Sequence, residues 1–180
     1  MRDAAFSRQR YWGEPFPILW DDDGNPHSVP DDQLPVTLPP LDDFKARLGD
    51  PNDADSEPDL PLGRVESWAH VTLDLGDGPK HYRRDLNVMP QWAGSCWYYL
   101  RFVDARNDAE AWSNEAEKFW MPVDLYVGGT EHAVLHLLYS RVLPRGFRDL
   151  AIVEHSAPVT RRRAQGMVLE AGNVMSKAKG

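Results

Sequence analysis

The stretch Val127-Gly128-Gly129-Thr130-Glu131-His132-Ala133-Val134-Leu135-His136-Leu137-Leu138-Tyr139 gathers the side chains best suited to chemistry. Two glycines are followed by a carboxylate and two imidazoles. Asp124-Leu125-Tyr126-Val127 is short and apolar and predicts a strand. Gly128-Gly129 predicts a tight turn. Thr130 then suits an N-cap, and an apolar helical pattern follows. On such a helix Glu131 and Leu135 share one face, and His132 and His136 a neighbouring one. A helix start with free backbone N–H groups, glycines and a carboxylate suits a ligand carrying hydroxyls and an anionic group. Histidines on an apolar helix are nevertheless more often core or surface residues than ligands. The order also excludes the zinc-protease pattern, which needs His-Glu-x-x-His. Here Glu131 precedes His132, and no third metal ligand is evident.

The elements that would position these groups can be read along the chain. Phe16, Ile18 and Trp20 alternate as in a short edge strand. Asp21-Asp22-Asp23-Gly24-Asn25-Pro26 predicts a turn. Asp42–Leu48 suggests one or two helical turns, and Asp50–Pro58 has too little apolar content to pack. Residues 65–75 alternate and return through Gly76-Asp77-Gly78-Pro79 into His81–Arg84, which predicts a hairpin. A helix is expected from about Cys96, with Trp97 and Tyr98 as core and Cys96 and Tyr99 lining a pocket. Asn114-Glu115-Ala116-Glu117 resembles a capping box opening a helix that ends at Trp120. The central helix should stop at Arg141–Pro144, with strands at Ala151–Val153 and Gly166–Leu169.

Composition bounds the function classes. With 180 residues, 42% of them hydrophobic and 27% charged, the chain can bury a real core. Cys96 stands alone, which excludes an internal disulfide or a cysteine zinc cluster and fits a reducing cytoplasm. No apolar run approaches a membrane span, and Met1-Arg2-Asp3 does not open a signal peptide, so a cytoplasmic protein without a membrane partner is expected. A net charge of −8 argues against a generic nucleic-acid surface. The charge is uneven: residues 21–60 hold 12 acidic and 2 basic residues, whereas Arg161-Arg162-Arg163, Lys177 and Lys179 make the C-terminal end basic. The arginine run reads as a solvated loop, and Arg8 and Arg10 as surface.

Six segments in order carry a resemblance. They are Ser7-Arg8-Gln9-Arg10-Tyr11-Trp12-Gly13, Ser95-Cys96-Trp97-Tyr98-Tyr99-Leu100-Arg101, Trp120-Met121-Pro122-Val123-Asp124, the Gly128–Tyr139 stretch, Gln165-Gly166-Met167-Val168-Leu169 and Met175-Ser176-Lys177-Ala178-Lys179-Gly180. Together they resemble the second half of the catalytic domain of leucyl-tRNA synthetase, a class I aminoacyl-tRNA synthetase. The resemblance covers nearly the whole chain, with gaps near 40–64 and 150–163. It implies an α/β fold: the second half of a Rossmann-like catalytic domain with a small β-hairpin insert. Residues 1–20 would be the junction re-entering the catalytic domain from an inserted editing domain. Residues 21–84 would be an acidic, Pro-rich insert with the hairpin, and 85–180 the second half of the nucleotide-binding core.

By the same resemblance, Glu131 holds the ribose hydroxyls of ATP, and Gly128 and Gly129 allow close nucleotide approach. Met167 and Val168 sit by the adenine. Lys177, the retained second lysine of a Lys-Met-Ser-Lys-Ser signature, is the catalytic group that stabilises the phosphates. Cys96, Tyr99, His132 and His136 line the leucine pocket. ATP with Mg2+, leucine and tRNA(Leu) are the implied substrates, cofactor and partners. Four positions depart from the family pattern: Ala93, Cys96, Val174 and Ala178. Leu73-Asp74-Leu75-Gly76 stands where many leucyl enzymes carry a zinc-binding Cys-x-x-Cys, so no zinc is expected in this segment.

The family's His-Ile-Gly-His signature has no copy here, so a missing first half of the catalytic domain is an expected partner. The chain reads as an excised portion of a leucine–tRNA ligase, holding about half of an active site and inactive in isolation. A non-catalytic remnant or interaction domain, or a valyl or isoleucyl sister enzyme, are the alternatives. Trp97–Arg101 and Glu131-His132 favour leucine over the last two.

Overall fold

A computed structural model describes residues 5–45, 47–49, 52–53, 55–56 and 58–175. They fall in two compact units, Met1–Gln91 and Trp92–Gly180.

The first unit is built on a four-stranded antiparallel sheet. Its strands are β1 (Ile18–Trp20), β2 (Pro26–Ser28), β3 (His70–Asp74) and β4 (Pro79–Arg84), in the order β2-β1-β4-β3. The expected turn at Asp21–Pro26 joins β1 to β2. Asp21 Oδ1 accepts from the backbone N–H groups of Asp23 and Asn25, and Oδ2 lies 2.9 Å from His27 Nε2. These bonds to the ionised form, that from His27 foremost, hold the Asp21 carboxyl well below the usual carboxylate range. The expectation of an edge strand at Phe16–Trp20 is corrected. β1 pairs on both sides, with β2 and with β4, because Leu19 is fully buried and packs with Val29 and Tyr82.

The β3–β4 hairpin closes at Asp74↔Pro79, where Asp74 Oδ1 accepts from the N–H groups of Gly76 and Gly78. Its alternating lead-in is not strand from residue 65, however. Glu66–Ala69 forms one helical turn, α1, as the N–H groups of Trp68 and Ala69 both reach the Val65 carbonyl. Asp42–Leu48 has no helix among its described residues. Arg64 takes the carbonyls a helix would use: its guanidinium donates to the Asp43 and Lys45 carbonyls at 3.0 and 2.7 Å and to the Asp59 carboxylate at 2.9 Å. Of the stretch expected to lack packing, residues 50, 51, 54 and 57 lie outside the described residues.

The second unit begins with a 3-10 turn at Gly94–Cys96 and helix α2 (Tyr98–Val103). Tyr99, Leu100 and Val153 form its buried core, flanked by Trp97, Trp112 and Phe147. Arg101 fixes the following loop, donating from Nη1 to the carbonyls of Asp104, Asn107, Glu110 and Ala111. Helix α3 (Asn114–Trp120) is capped by Ser113, one residue earlier than the capping-box reading, with Oγ accepting from the Ala116 N–H.

Strand β5 (Val123–Gly129) follows and runs parallel to β6 (Val159–Gln165), in register from Val123↔Val159 to Gly129↔Gln165. Between them lie a 3-10 turn at Thr130–Val134 and helix α4 (His136–Asp149). Strands β7 (Leu169–Glu170) and β8 (Asn173–Val174) form a small antiparallel hairpin. The architecture is α/β with small sheets, as expected.

Several local expectations fail in this unit. Gly128-Gly129 is the end of the strand and not a turn, and Thr130 caps nothing: Gly129 precedes the 3-10 turn without a side-chain cap. Glu131 and His132 therefore sit in the 3-10 turn, and only His136 is on the α-helix. The strand–helix connection is too compact for one helix to start at Thr130, and Leu135 breaks it with φ −114 and ψ −113.

Pro144 does not end α4. A proline inside a helix orphans the carbonyl four residues earlier. Here that carbonyl, of Ser140, accepts from the Tyr99 hydroxyl at 3.2 Å. The helix instead runs to Asp149, and Ala151, just beyond its C-cap Leu150, takes φ 58. The Ile152 and Ala151 N–H groups then reach back to the Phe147 and Arg148 carbonyls. Ala151–Val153 is thus a helix terminus and bend, not a strand. Arg161–Arg163 is strand, not loop, and Gly166–Val168 is irregular, with only Leu169 entering β7. Among the described residues no helix is long and apolar enough to cross a membrane.

Candidate functional site

The carboxyl ends of β5 and β6 lie side by side. In open α/β sheets ligands bind at such ends. The two glycines closing β5 differ in what they permit. A Cβ at Gly128 would be in ordinary contact with Tyr126, at 3.5 Å. A Cβ at Gly129 would collide with both carboxylate oxygens of Glu131, which fold back over it. Gly129 must therefore be glycine for Glu131 to stand where it does.

Glu131 opens on a cavity of about 230 Å³, shared with Gly129, Gln165, Gly166, Met167, Val168 and Met175. So the structure brings together Gly129, Glu131, Met167 and Val168, all singled out from the sequence. Gly128 lies one residue behind the cavity wall. Lys177 lies outside the described residues. Gln165 joins them in the cavity wall. The sequence carries no signal for it, because β6 reads as loop there; in the structure it closes β6 and pairs with Gly129 in the ladder.

A second cluster adjoins this turn. His136 is 6% exposed and lies against Tyr98, Tyr126 and Trp92, with ring centroids 5.8, 6.1 and 6.4 Å away. His132 meets the edge of Trp92 at 5.7 Å. Burial, then the neighbouring His132, pushes the His136 pKa down, so the imidazole is held neutral. The Tyr98 hydroxyl donates to that of Tyr126 at 3.3 Å, and burial pushes the Tyr126 phenol up to about 12. His132 Nδ1 and His136 Nε2 are buried with no hydrogen-bond partner. Two orphaned nitrogens in one aromatic nest can meet an apolar or weakly polar guest without stripping away an existing bond.

Of the remaining sequence candidates, Tyr99 stands one ring back, edge-on to Tyr98 at 5.8 Å, its hydroxyl on the Ser140 carbonyl. Burial raises its pKa, so it stays a neutral donor. Cys96 is buried, its Sγ 2.8 Å from the Ala93 carbonyl. Trp92 and Tyr126 were missed. Tyr126 is legible as the aromatic position of β5, but Trp92 reaches the histidines only through tertiary folding. Among the described residues no group of three or more His, Cys, Asp or Glu side chains is placed to hold a metal ion.

No protein-family profile matches the chain. It is 53% identical to the leucine–tRNA ligase of Nocardia farcinica and 52% identical to that of Streptomyces coelicolor, each over 93% of this chain. It also superposes on a leucyl-tRNA synthetase of Agrobacterium radiobacter K84, crystallised as a ternary complex with tRNA and LeuAMS. That match has a TM-score of 0.78 and 31% identity, and covers 99% of this chain and 22% of that one. The α/β fold and these matches make the chain a homologue of the aminoacyl-tRNA synthetases. Within that class, its sequence is homologous to one segment of the leucine–tRNA ligases, and it spans about one fifth of the length of the curated relatives, 19% and 18% of those two.

Proposed function

We propose that this segment forms part of the adenylate-forming core of a leucine–tRNA ligase, acting on leucine, ATP with Mg2+ and tRNA(Leu) in the cytoplasm. Residues 1–20 serve as the junction into the catalytic domain, 21–84 as the acidic hairpin insert, and 85–180 as the second half of the nucleotide-binding core. The segment calls for no zinc. The observation that carries the reading is Glu131. Its carboxylate is folded over Gly129 and faces a small cavity floored by Met167 and Val168.

In this reading Glu131 accepts hydrogen bonds from the ribose hydroxyls, and Met167 and Val168 pack on the adenine. The leucine side chain enters the nest of His132 and His136, with Cys96 and Tyr99 behind it. The leucine carboxylate attacks the α-phosphorus and pyrophosphate leaves. The protein's task is to hold two anions together and to neutralise charge as the transition state forms. Lys177 supplies that positive charge. A neutral His136 suits this task, since a charged imidazole would favour polar guests over an alkyl chain.

The test is leucine-dependent ATP–pyrophosphate exchange by a full-length leucine–tRNA ligase carrying this segment. Glu131→Gln should raise the KM for ATP roughly ten- to hundredfold, the effect of losing a charge-assisted hydrogen bond, and leave the leucine KM nearly unchanged. A variant that altered only the leucine KM would overturn the ribose role.

A further inference from the structure

Arg162 is the middle member of an arginine run lodged in β6. Its neighbours Arg161 and Arg163 are exposed, whereas Arg162 is half-buried. It pairs with Tyr126 across the parallel ladder. Its Nη2 reaches along the strand pair to its end and donates to the Gly129 carbonyl at 2.8 Å, while its Nε is buried without a partner. An arginine is a costly occupant of a half-buried strand position, where a β-branched or aromatic side chain packs better.

Gly129 is the residue over which the Glu131 carboxylate folds. The carbonyl gripped by Arg162 is therefore that of the hinge from which Glu131 hangs. Three residues beyond Arg162, β6 ends at Gln165, which opens the opposite wall of the same cavity. One guanidinium thus joins the strand that leads to Met167 and Val168 with the turn that carries Glu131.

We propose that Arg162 is a positioning residue of the nucleotide site: it latches the glycine end of β5 to β6 and so sets the Glu131 carboxylate against the adenine wall. The inference rests on the nucleotide reading given above. The latch acts through Gly129 and needs no contact with the nucleotide. A charge-assisted bond to a carbonyl is roughly twice as strong as a neutral one, which suits a single tether.

Hydrogen–deuterium exchange of the 180-residue chain tests it, with and without ATP, in the unsubstituted protein, Arg162→Leu and Arg162→Lys. Leucine keeps apolar bulk in the strand and removes every donor, whereas lysine keeps one charged donor. In Arg162→Leu the amides of residues 129–134 should exchange roughly ten- to hundredfold faster without ATP, while those of the β3–β4 hairpin stay unchanged. ATP should protect residues 129–134 and 165–168 in the unsubstituted chain, with an apparent affinity about tenfold weaker in Arg162→Leu and largely recovered in Arg162→Lys.

A merely structural arginine would instead speed exchange evenly over β5, β6 and α4, and that result overturns the proposal. So does unchanged exchange at 129–134 in Arg162→Leu, or exchange there at unfolded-chain rates in the unsubstituted protein. If ATP protects neither segment in the unsubstituted chain, the nucleotide reading fails and the positioning role fails with it. If ATP protection persists while Arg162→Leu changes nothing, only the latch is lost.

Discussion

His136 shows how burial decides the chemistry of a single residue. Its imidazole is boxed in by Trp92, Tyr98 and Tyr126, and burial drives its pKa below the ordinary value of 6.5. In the unfolded chain it takes up a proton near 6.5, and in the folded chain only at lower pH. Between those two values the unfolded state binds more protons, so folding stability rises with pH. The contribution is complete above about pH 6.5 and is lost as pH falls through the window towards the lowered folded-state value. We expect urea midpoints to decline between pH 7.5 and 5.5, and His136→Phe to flatten that decline while keeping an aromatic in the nest. The slope from one such group is at most about 1.4 kcal/mol per pH unit. A profile identical in both proteins would show that His136 is charged or solvated in the fold. At this scale the sequence was informative about identity and silent about surroundings. Glu131, His132 and His136 stood out by type and spacing. The buried nitrogens of the histidines depend on Trp92, 40 and 44 residues away along the chain, which no local pattern reveals.

The same division runs through the elements. Strand β5, the β3–β4 hairpin and helix α3 were legible because period, turn residues and caps all act locally. The end of α4 was not. Pro144 is a strong stop signal, but the carbonyl it orphans is taken by a tyrosine hydroxyl from α2, and the helix continues to Asp149. Beyond it the apolar Ala151-Ile152-Val153 looked like a strand. Only Val153 is buried there, delivered to the core by the helix terminus that Ala151 makes. β6 hid behind its arginines, since Arg161-Arg162-Arg163 carries no alternation of apolar and polar residues. The terminus itself is testable. Ala151 sits at φ 58, where an L side chain costs roughly 1–2 kcal/mol and glycine does not. Ala151→Gly should therefore raise the unfolding free energy by about 1 kcal/mol in a urea titration, and Ala151→Val should lower it. A destabilised glycine variant would mean that the left-handed terminus is not populated.

At the scale of the whole chain, the site is one-sided. Among the described residues strand β5 pairs only with β6, and Leu125 and Val127 on it are 50% and 58% exposed. Leu138 and Val142 on α4 are also exposed, 51% and 58%. Parallel sheets are ordinarily covered on both faces. On the function proposed above the described residues would serve a ribose, an adenine and an alkyl side chain, but the His-Ile-Gly-His signature is absent from all 180 residues. Catalytic groups that act as a unit lose most of their effect when any one is removed. Possession of half the groups therefore does not leave half the rate. We expect the purified 180-residue chain to show no leucine-dependent ATP–pyrophosphate exchange above a reaction lacking protein, even where ATP protects the Glu131 turn from hydrogen exchange. Binding without turnover would assign nucleotide contact to these residues and show that turnover needs groups beyond the 180 residues as well. Robust exchange by this chain alone would show instead that the Glu131 turn, the histidine nest and Lys177 suffice for adenylate chemistry.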